Sequence, residues 1–442
     1  MVGVGRSLKL GANGRGARYF GRLMRILATL LAVCLLAAPA RAQVADTAIV
    51  LRPDRVWTGS ATPPQAEWAV LIADGRIAAV GPSASIAAPA GAREIALPGV
   101  TLTPGLIDLH THLLLRAYSI ESWDDQVLRD SEATRVIRGV AGARATLLSG
   151  FTTIRDLGSE GAGYADVALR NGANDGSMQG PRMYVATLAI VARGGYGPRR
   201  TAFRPDLDVP QGAQEASGVD EVVAAVRTQM AHGADWIKLY GDYRFGNSAA
   251  SRPTFSQAEI NAAVATAHDA GLRVSVHAVT DEAIRRAVLA GADTIEHGYG
   301  ATRETFRLMA RRGVAFIPTL AAADTVRRAE NAGVAATFRL ALSQGVAIGA
   351  GSDAGVFAHG ENVRELELMV AGGMTPTQAL IAATSTNARL LGQADQLGVI
   401  AVGAQADLAG FVGDPTSNIT ALRNVSFVMQ RGAVVRAPIA AQ

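Results

Sequence analysis

The chain contains very little cysteine. Its 442 residues include one cysteine, Cys34, which lies in an apolar segment near the N terminus. A single thiol excludes an internal disulfide framework and a thiolate metal cluster. If that segment is removed after export, no cysteine nucleophile remains, which suits an oxidising compartment.

The chain also lacks an excess of basic charge outside its first segment, although its formal net charge is +4. The first 42 residues carry seven of the 42 basic residues and no acid, so the remainder has 35 basic against 38 acidic residues. This balance gives no support to nucleic-acid binding. A hydrophobic fraction of 49% and a charged fraction of 18% indicate a globular chain rather than a disordered one.

The N-terminal segment has the pattern of a secretory signal. A basic start precedes an apolar run, and Ala40-Arg41-Ala42 fits a small-x-small cleavage site. We therefore expect a periplasmic or secreted protein that has no stable membrane association after signal cleavage. The alternative is a membrane anchor, for which the apolar run is short.

From Gly105 onward, short apolar stretches alternate eight times with alanine-rich segments of helical spacing. Buried strands that alternate with helices indicate a parallel sheet, and eight such units predict a (β/α)8 TIM-like barrel. One helix start is marked by Ser256 with Glu259 three residues later, the pattern of a capping box. The strand candidates begin at Gly105, Phe151, Pro181, Gly233, Gly271, Gly291, Gly313 and Gly345.

The flanks of this region have short strand-like pieces broken by proline and glycine. We expect the two flanks to pair into one small β-sandwich domain, so that the whole chain has an α/β fold. The predicted divisions are a signal peptide at 1–42, the first part of the sandwich at 43–103, the barrel at 104–397 and the second part of the sandwich at 398–442.

Four of the seven histidines and one aspartate lie at or near the ends of predicted strands. In a barrel of this type the carboxyl ends of the strands meet at one mouth, where active sites are built. A single histidine in such a place is usually structural, but five candidate ligands on one rim indicate a metal site. They are His110, His112, His277, His297 and Asp353.

Lysine usage gives the sharpest clue, because the chain has two lysines against forty arginines. Lys238 lies in an apolar predicted strand, where a bare ammonium is costly to bury. A lysine amine, unlike arginine, can add CO2 to form a carbamate that bridges two metal ions. The alternatives are chance survival of this lysine or a simple ion pair.

Six ligands are too many for one catalytic zinc, and two divalent metal ions, zinc first, would satisfy them.

The candidate ligands lie within a set of short motifs, TPGLIDLHTH (103–112), FTTIRD (151–156), GADWIK (233–238), VHA (276–278), TIEHG (294–298) and GSDAG (351–355). These motifs resemble those of the amidohydrolase superfamily, and the likeness covers roughly Ile49 to Arg436. Three further stretches are GPRMYVATLAI (180–190), a Gly-Gly-Tyr-Gly loop (194–197) and HGENVRELELMVAGGMTP (359–376). They are most similar to the imidazolonepropionase-like branch of the superfamily, which holds the Xaa-Pro dipeptidases and the ochratoxin-type amidases.

The resemblance implies a role for each candidate ligand. It implies that the first metal ion is held by His110, His112 and Asp353. It implies that the second is held by His277 and His297, with carboxylated Lys238 (N6-carboxylysine) as the bridge. Imidazolonepropionases themselves are mononuclear and lack the bridging lysine, so Lys238 argues against that activity here.

Four residues are candidates for substrate contacts. Arg193 begins a loop with four arginines, and arginine binds carboxylates bidentately, although a solvated basic loop is the alternative. Tyr240 shares the inward face of Lys238 and is placed to donate to an oxyanion, although plain packing is the alternative. Tyr196 stands where the branch usually has histidine, and His359 follows the eighth strand.

The sequence thus predicts an exported binuclear metal-dependent hydrolase that cleaves amide bonds of dipeptides (Xaa-Pro or Xaa-hydrophobic) or of N-acyl amino acids. A hydroxide that bridges the metals would be the nucleophile, and Asp353 would take its proton and pass it to the leaving group. Alternatives on the same metal centre are a lactonase, a cyclic amidase or a phosphotriesterase. A non-catalytic binding protein is the alternative of another class. We expect a small-molecule substrate, no nucleic-acid partner and a homo-oligomer.

Overall fold

The computed structural model describes residues 48–245, 248, 250–328 and 331–437. The predicted signal segment, with Cys34, lies outside these residues. None of the helices in the described ranges combines the length and the apolar composition that crossing a bilayer would require.

Strands and helices alternate through most of the described chain. The strands β1 to β19 span Ile49–Val56, Gln65–Ala66, Trp68–Ala73, Arg76–Pro82, Arg93–Pro104, Leu106–Thr111, Phe151–Asp156, Arg182–Val185, Ile190–Val191, Gln214–Glu215, Trp236–Tyr240, Asp242–Tyr243, Arg252–Pro253, Arg273–Ala278, Thr294–His297, Ala315–Ile317, Leu408–Val412, Val425–Gln430 and Ala433–Arg436. The helices α1 to α12 span Trp123–Arg129, Glu132–Leu148, Ala165–Asp175, Val219–Ala231, Gln257–Asp269, Asp281–Ala290, Arg303–Arg312, Leu320–Val326, Asn331–Ser343, Val363–Ala371, Pro376–Ile381 and Asn387–Leu390.

The local sequence explains where several elements begin and end. The strands β6, β7, β11 and β15 are buried along their whole length, as expected of apolar strands covered on both faces. Helix α5 begins at the predicted capping box, in which Ser256 and Glu259 each accept a hydrogen bond from the other's backbone N–H. Helices α6 and α7 end at Gly291 and Gly313, whose left-handed φ angles stop each helix before the next strand.

The parallel strands form two runs of neighbours, β6-β7-β8 and β10-β9-β11-β14-β15-β16. The runs are connected next to β11, where the N–H of Asp235 donates to the carbonyl of Val185 at the end of β8 (2.8 Å). On the other side, the segment that includes Ile348 and Ala354 forms isolated parallel bridges with β16 and β6. The predicted alternation of parallel strands with helices is therefore confirmed.

Both flanks contribute to a sheet of eight strands, ordered β19-β18-β17-β5-β1-β3-β4, with β2 paired to β1. Strand β5 from the N-terminal flank pairs antiparallel with β17 from the C-terminal flank. Leu102, Leu408 and Phe427 are fully buried in the core of this sheet. The sandwich and the domain boundaries stay predictions.

Candidate active site

A cavity of about 470 Å³ lies where the parallel strands end. Its wall contains five of the predicted ligands, namely His110, His112, His277, His297 and Asp353. The four histidines come from the last residues of a parallel strand or directly follow one. Asp353 lies between Ile348 and Ala354, where the predicted eighth strand is present only as isolated bridges. The structure therefore brings these distant positions of the sequence together around one space, which we call the metal cavity.

His110, His112 and Asp353 form the tightest group. Their ligand atoms all lie within 4.8 Å of one another, and all three residues are buried. Asp353 Oδ1 is 3.6 Å from His110 Nε2 and 3.3 Å from His112 Nε2. Two imidazoles and a carboxylate at this spacing are a candidate site for a divalent transition metal.

The second pair of histidines lies beside the first. The ring centroids of His277 and His297 are 4.5 Å apart, and those of His110 and His297 are 5.2 Å apart. The four imidazoles therefore form one continuous cluster.

In the first pair, the Nδ1 atoms are engaged by groups that can only accept hydrogen bonds. His110 Nδ1 lies 2.8 Å from Glu296 Oε2, and His112 Nδ1 lies 3.0 Å from the carbonyl oxygen of Gly158. Each Nδ1 must therefore carry the proton and donate it. The Nε2 atoms therefore lie on the side that faces Asp353, where metal ligation would use them.

The second pair is held in a similar way from outside the cavity. His297 Nδ1 lies 2.7 Å from the Thr319 hydroxyl, and His277 Nε2 lies 3.5 Å from Asp242 Oδ1. Asp242 is itself fixed by backbone N–H groups of Val279 and Thr280. These contacts leave Nε2 of His297 and Nδ1 of His277 as the free ring nitrogens.

Glu296 is a buried residue that the sequence analysis did not single out. Its Oε1 atom accepts hydrogen bonds from Arg155 Nη2 (2.9 Å) and Ser275 Oγ (2.8 Å), while Oε2 faces His110. Both Glu296 and Arg155 are fully buried, so the charges compensate each other in the interior. The pair fixes the orientation of His110.

Three residues in or beside the cavity have left-handed backbone conformations. The φ angles are +71° at His297, +62° at Asp353 and +47° at Thr319. Such angles are uncommon outside glycine and cost on the order of 1–3 kcal/mol each. These φ angles turn the side chains of His297 and Asp353, the candidate ligands, away from the direction they would have in a regular strand. They do the same for Thr319, which contacts His297.

Lys238 lies in the middle of β11 and is 1% exposed. Among the described residues, its Nζ atom has no hydrogen-bond partner. Burial lowers the pKa of this amine to about 8, even though Glu296 and Asp353 oppose the shift. A buried amine left in this way is costly, and conversion to a partnered anion would remove the cost.

Burial and nearby charges set the protonation state of the imidazoles. Burial, together with the charge of Lys238, holds the pKa of His110 and His277 well below the ordinary value, so these imidazoles are neutral. Burial opposes protonation of His112 as well, but Asp353 and Glu160 outweigh it and raise the pKa of His112 to about 9. A metal ion bound there would displace that proton.

Of the predicted substrate contacts, Tyr240 and Tyr196 line the metal cavity. The Tyr240 hydroxyl donates to the Tyr196 hydroxyl (3.0 Å), which in turn donates to Glu160 Oε2 (2.7 Å). The Tyr240 proton is therefore directed at Tyr196, which does not support the expected role of Tyr240 as an oxyanion donor.

Arg193 and His359 are not brought to the metal cavity. Arg193 is exposed and pairs with Glu221 at 3.0 Å. His359 Nε2 lies 3.0 Å from the carbonyl oxygen of Leu115, and its ring packs close to Gly142. Their expected substrate contacts therefore have no support in this geometry.

Comparison with known proteins identifies the family. The model of the amidohydrolase family matches residues 101–435. The chain belongs to the amidohydrolase family. This amidohydrolase is therefore a hydrolase of amide or peptide bonds, in agreement with the resemblance seen in its sequence motifs.

Individual relatives agree with the family. The amidohydrolase is 30% identical to the solved structure of a Xaa-Pro dipeptidase with bound methionine, with a TM-score of 0.81 over 88% of this chain and 100% of the other. It is 28% identical to an uncharacterised protein of Mycobacterium bovis, over 85% of this chain and 94% of the relative. It is 26% identical to ochratoxinase of Aspergillus niger, over 76% of each chain. The similarity to Xaa-Pro dipeptidases and ochratoxinase that the sequence predicts is confirmed.

Proposed function

We propose that this amidohydrolase binds two divalent metal ions, zinc first, and hydrolyses amide bonds of dipeptides or N-acyl amino acids. The observation that carries the proposal is Lys238, a buried amine without a hydrogen-bond partner among the described residues, in a strand beside the four clustered imidazoles. A carbamate formed on this amine would provide the anion that two cations need between them.

The residues present fit two metal ions. His110, His112 and Asp353 would hold the first ion, because their free ligand atoms already face one another. His277 and His297 would hold the second, each through the ring nitrogen that its outer contact leaves free. Carboxylated Lys238 would be shared between the two.

The bound ions would lower the pKa of water and polarise the substrate carbonyl. The chain's own residues would do the rest. Asp353 would accept the proton of the attacking water and return it to the leaving nitrogen. Burial opposes ionisation of Asp353, but His110 and His112 hold its pKa below the ordinary value, so it starts as the carboxylate that this role requires.

The substrate class rests on the relatives. The Xaa-Pro dipeptidase and the ochratoxinase bear names that denote hydrolysis of a peptide and of an ochratoxin. A cavity of about 470 Å³ is large enough for a dipeptide.

We also propose that the parallel strands close into an eight-stranded barrel and that the protein is exported. The backbone contacts of β8 with the start of β11, and of the 348–354 segment with both β16 and β6, support the closure. The basic start, apolar run and Ala40-Arg41-Ala42 site support export to the periplasm or beyond.

The test compares the wild-type enzyme with Lys238→Ala, both produced with zinc and bicarbonate. We expect about two zinc ions per wild-type chain, hydrolysis of Xaa-Pro or N-acyl amino acid substrates, and a carbamate carbon signal after labelling with carbon-13 bicarbonate. The variant should lose the signal, most of the zinc and the activity. His268→Gln, at an exposed histidine paired with Asp293 (2.9 Å), is the matched control. Full zinc and activity in Lys238→Ala would refute the bridge, and faster turnover of lactones, cyclic amides or phosphotriesters would refute the substrate class.

A further inference from the structure

A second cavity, of about 440 Å³, adjoins the metal cavity. Four residues, Tyr118, Tyr196, Tyr243 and Arg244, line both spaces. These side chains are therefore a common wall, and we call the space beyond them the outer chamber. A substrate that occupied both cavities would extend from the candidate metal ligands past this wall.

The wall of the outer chamber is aromatic and fixed in place. The rings of Trp123 and Tyr196 are 4.9 Å apart, measured between centroids. Both donate a hydrogen bond to the same oxygen of buried Glu160, Trp123 at 2.8 Å and Tyr196 at 2.7 Å. Phe203 also lines the chamber. A rigid aromatic surface of this kind suits a bulky apolar group.

The outer chamber also contains two arginines, Arg199 and Arg244. Within the part of the chain that the structure describes, neither forms an ion pair, although the guanidinium of Arg244 lies 5.4 Å from the Tyr243 ring centroid. One acidic residue, Asp124, lines the same space, so the chamber has a net positive charge. Such a surface favours an anion.

The neighbouring arginines of the same loop differ in this respect, because each of them already has a carboxylate partner. The pairs are Arg193 with Glu221, Arg200 with Glu215 and Arg204 with Asp206. The loop thus leaves Arg199 available, and Arg244 on the opposite loop is available beside it.

We infer that the outer chamber binds the leaving half of the substrate, an amino acid with a bulky apolar side chain, and that Arg244, with Arg199, binds its free carboxylate. The inference rests on the proposed amide hydrolysis. In a dipeptide or an N-acyl amino acid, the free carboxylate is joined to the scissile nitrogen through one carbon atom, so it must lie close to the metal cavity. Arg244 meets this condition because it lines both cavities.

The test uses Arg244→Gln and Arg199→Gln in the metal-loaded, full-length enzyme. Hydrolysis of N-benzoyl-L-phenylalanine is compared with that of its carboxamide, with release of benzoate as the readout for both. Arg244→Gln should raise KM for the acid about tenfold or more, the effect of losing one charge-assisted hydrogen bond, and leave KM for the carboxamide unchanged. Arg200→Gln is the control, because Arg200 lies in the same loop as Arg199 but is paired with Glu215. It should change KM for neither substrate.

Binding without turnover separates this inference from the proposed function. L-phenylalanine and L-phenylalaninamide are titrated calorimetrically into the same proteins. Preference for the acid that disappears in Arg244→Gln supports the carboxylate site even if no amide is hydrolysed. Hydrolysis with the same acid preference in wild type and Arg244→Gln refutes it. Arg327 lines the metal cavity and not the outer chamber. A preference lost in Arg327→Gln instead, or no binding of either probe, also refutes it.

The position of the leaving amino acid's side chain is tested separately with a variant of Ala202, which lines the outer chamber but not the metal cavity. Ala202→Trp should lower kcat/KM for N-benzoyl-L-phenylalanine and spare N-benzoylglycine, whose leaving half has no side chain. Equal losses for both substrates would place the leaving amino acid elsewhere.

Discussion

The metal cavity and the outer chamber share a wall but are built differently. The four histidines of the metal cavity lie at or directly after strand ends, and an outer partner engages one nitrogen of each imidazole. The outer chamber is lined by helix α1 and by loops, and its two arginines lie on loops and are exposed. The chemistry is thus fixed by the strands, whereas substrate preference depends on loops that can change without disturbing the candidate ligands.

The largest expected effect comes from breaking the support of the metal cavity. Glu296→Gln replaces the carboxylate that accepts from His110 with an amide whose N–H group would face another donor. It also leaves the buried Arg155 without its counter-charge. We expect zinc affinity to fall about 10–100-fold and the free energy of unfolding to fall by about 3–5 kcal/mol.

Competition with a chromophoric chelator measures the affinity, and urea denaturation of the metal-free protein measures the stability. Glu304→Gln, at an exposed glutamate of helix α7, is the control and should leave both unchanged. Zinc affinity equal to that of wild type would mean that the contact between Glu296 and His110 does not orient the ligand.

A smaller effect is expected from Glu365, which supports the wall of the metal cavity. Its Oε2 accepts from the N–H of Ala321 at the start of helix α8 (2.7 Å), and its Oε1 is buried without a hydrogen-bond partner among the described residues. Burial raises the pKa of this carboxyl from 4.5 to about 8. Between pH 4.5 and about 8, the Glu365 carboxyl is therefore protonated in the folded protein but ionised in the unfolded chain.

The free energy of unfolding should consequently fall as pH rises from 5 to 8, by on the order of 1 kcal/mol per unit for this group. Glu365→Gln is neutral at every pH and removes this loss, so its stability relative to wild type should grow with pH. Denaturation of the metal-free proteins at several pH values measures the difference, with Glu304→Gln again as control. A difference that stays constant from pH 5 to pH 8 would contradict the protonated state.

The histidines and the aspartate that meet at the metal cavity could be predicted from the sequence, but the residues that support them could not. His110 and Glu296 are 186 positions apart in the sequence, and only the fold makes them neighbours. In a regular strand, side chains point alternately to the two faces of the sheet. A left-handed φ angle at His297 and Asp353 breaks this alternation and redirects the side chain, so the sequence pattern alone does not give its direction. The predicted third strand is likewise two short strands, β8 and β9, separated by Thr187 with a φ of +61°.

The contacts of the loop with four arginines, residues 193–204, could not be predicted from the sequence either. Its arginines are equivalent in the sequence, and their pairing depends on acids that the fold brings from other elements. Arg193 meets Glu221 of helix α4, and Arg200 meets Glu215 of β10. The sequence therefore predicted the kind of side chain that binds a carboxylate, but not which arginine is available.

The smallest expected effect is that of Arg193→Gln. Its ion pair with Glu221 is exposed, with 61% and 50% of the two side chains accessible, so its loss should leave the free energy of unfolding almost unchanged. Because Arg193 does not line either cavity, KM for N-benzoyl-L-phenylalanine should be unchanged. If Arg193→Gln raised KM for the acid and not for its carboxamide, the carboxylate would bind at Arg193, the first candidate from the sequence. The outer chamber would then lose its assigned ligand while the metal cavity kept its proposed chemistry.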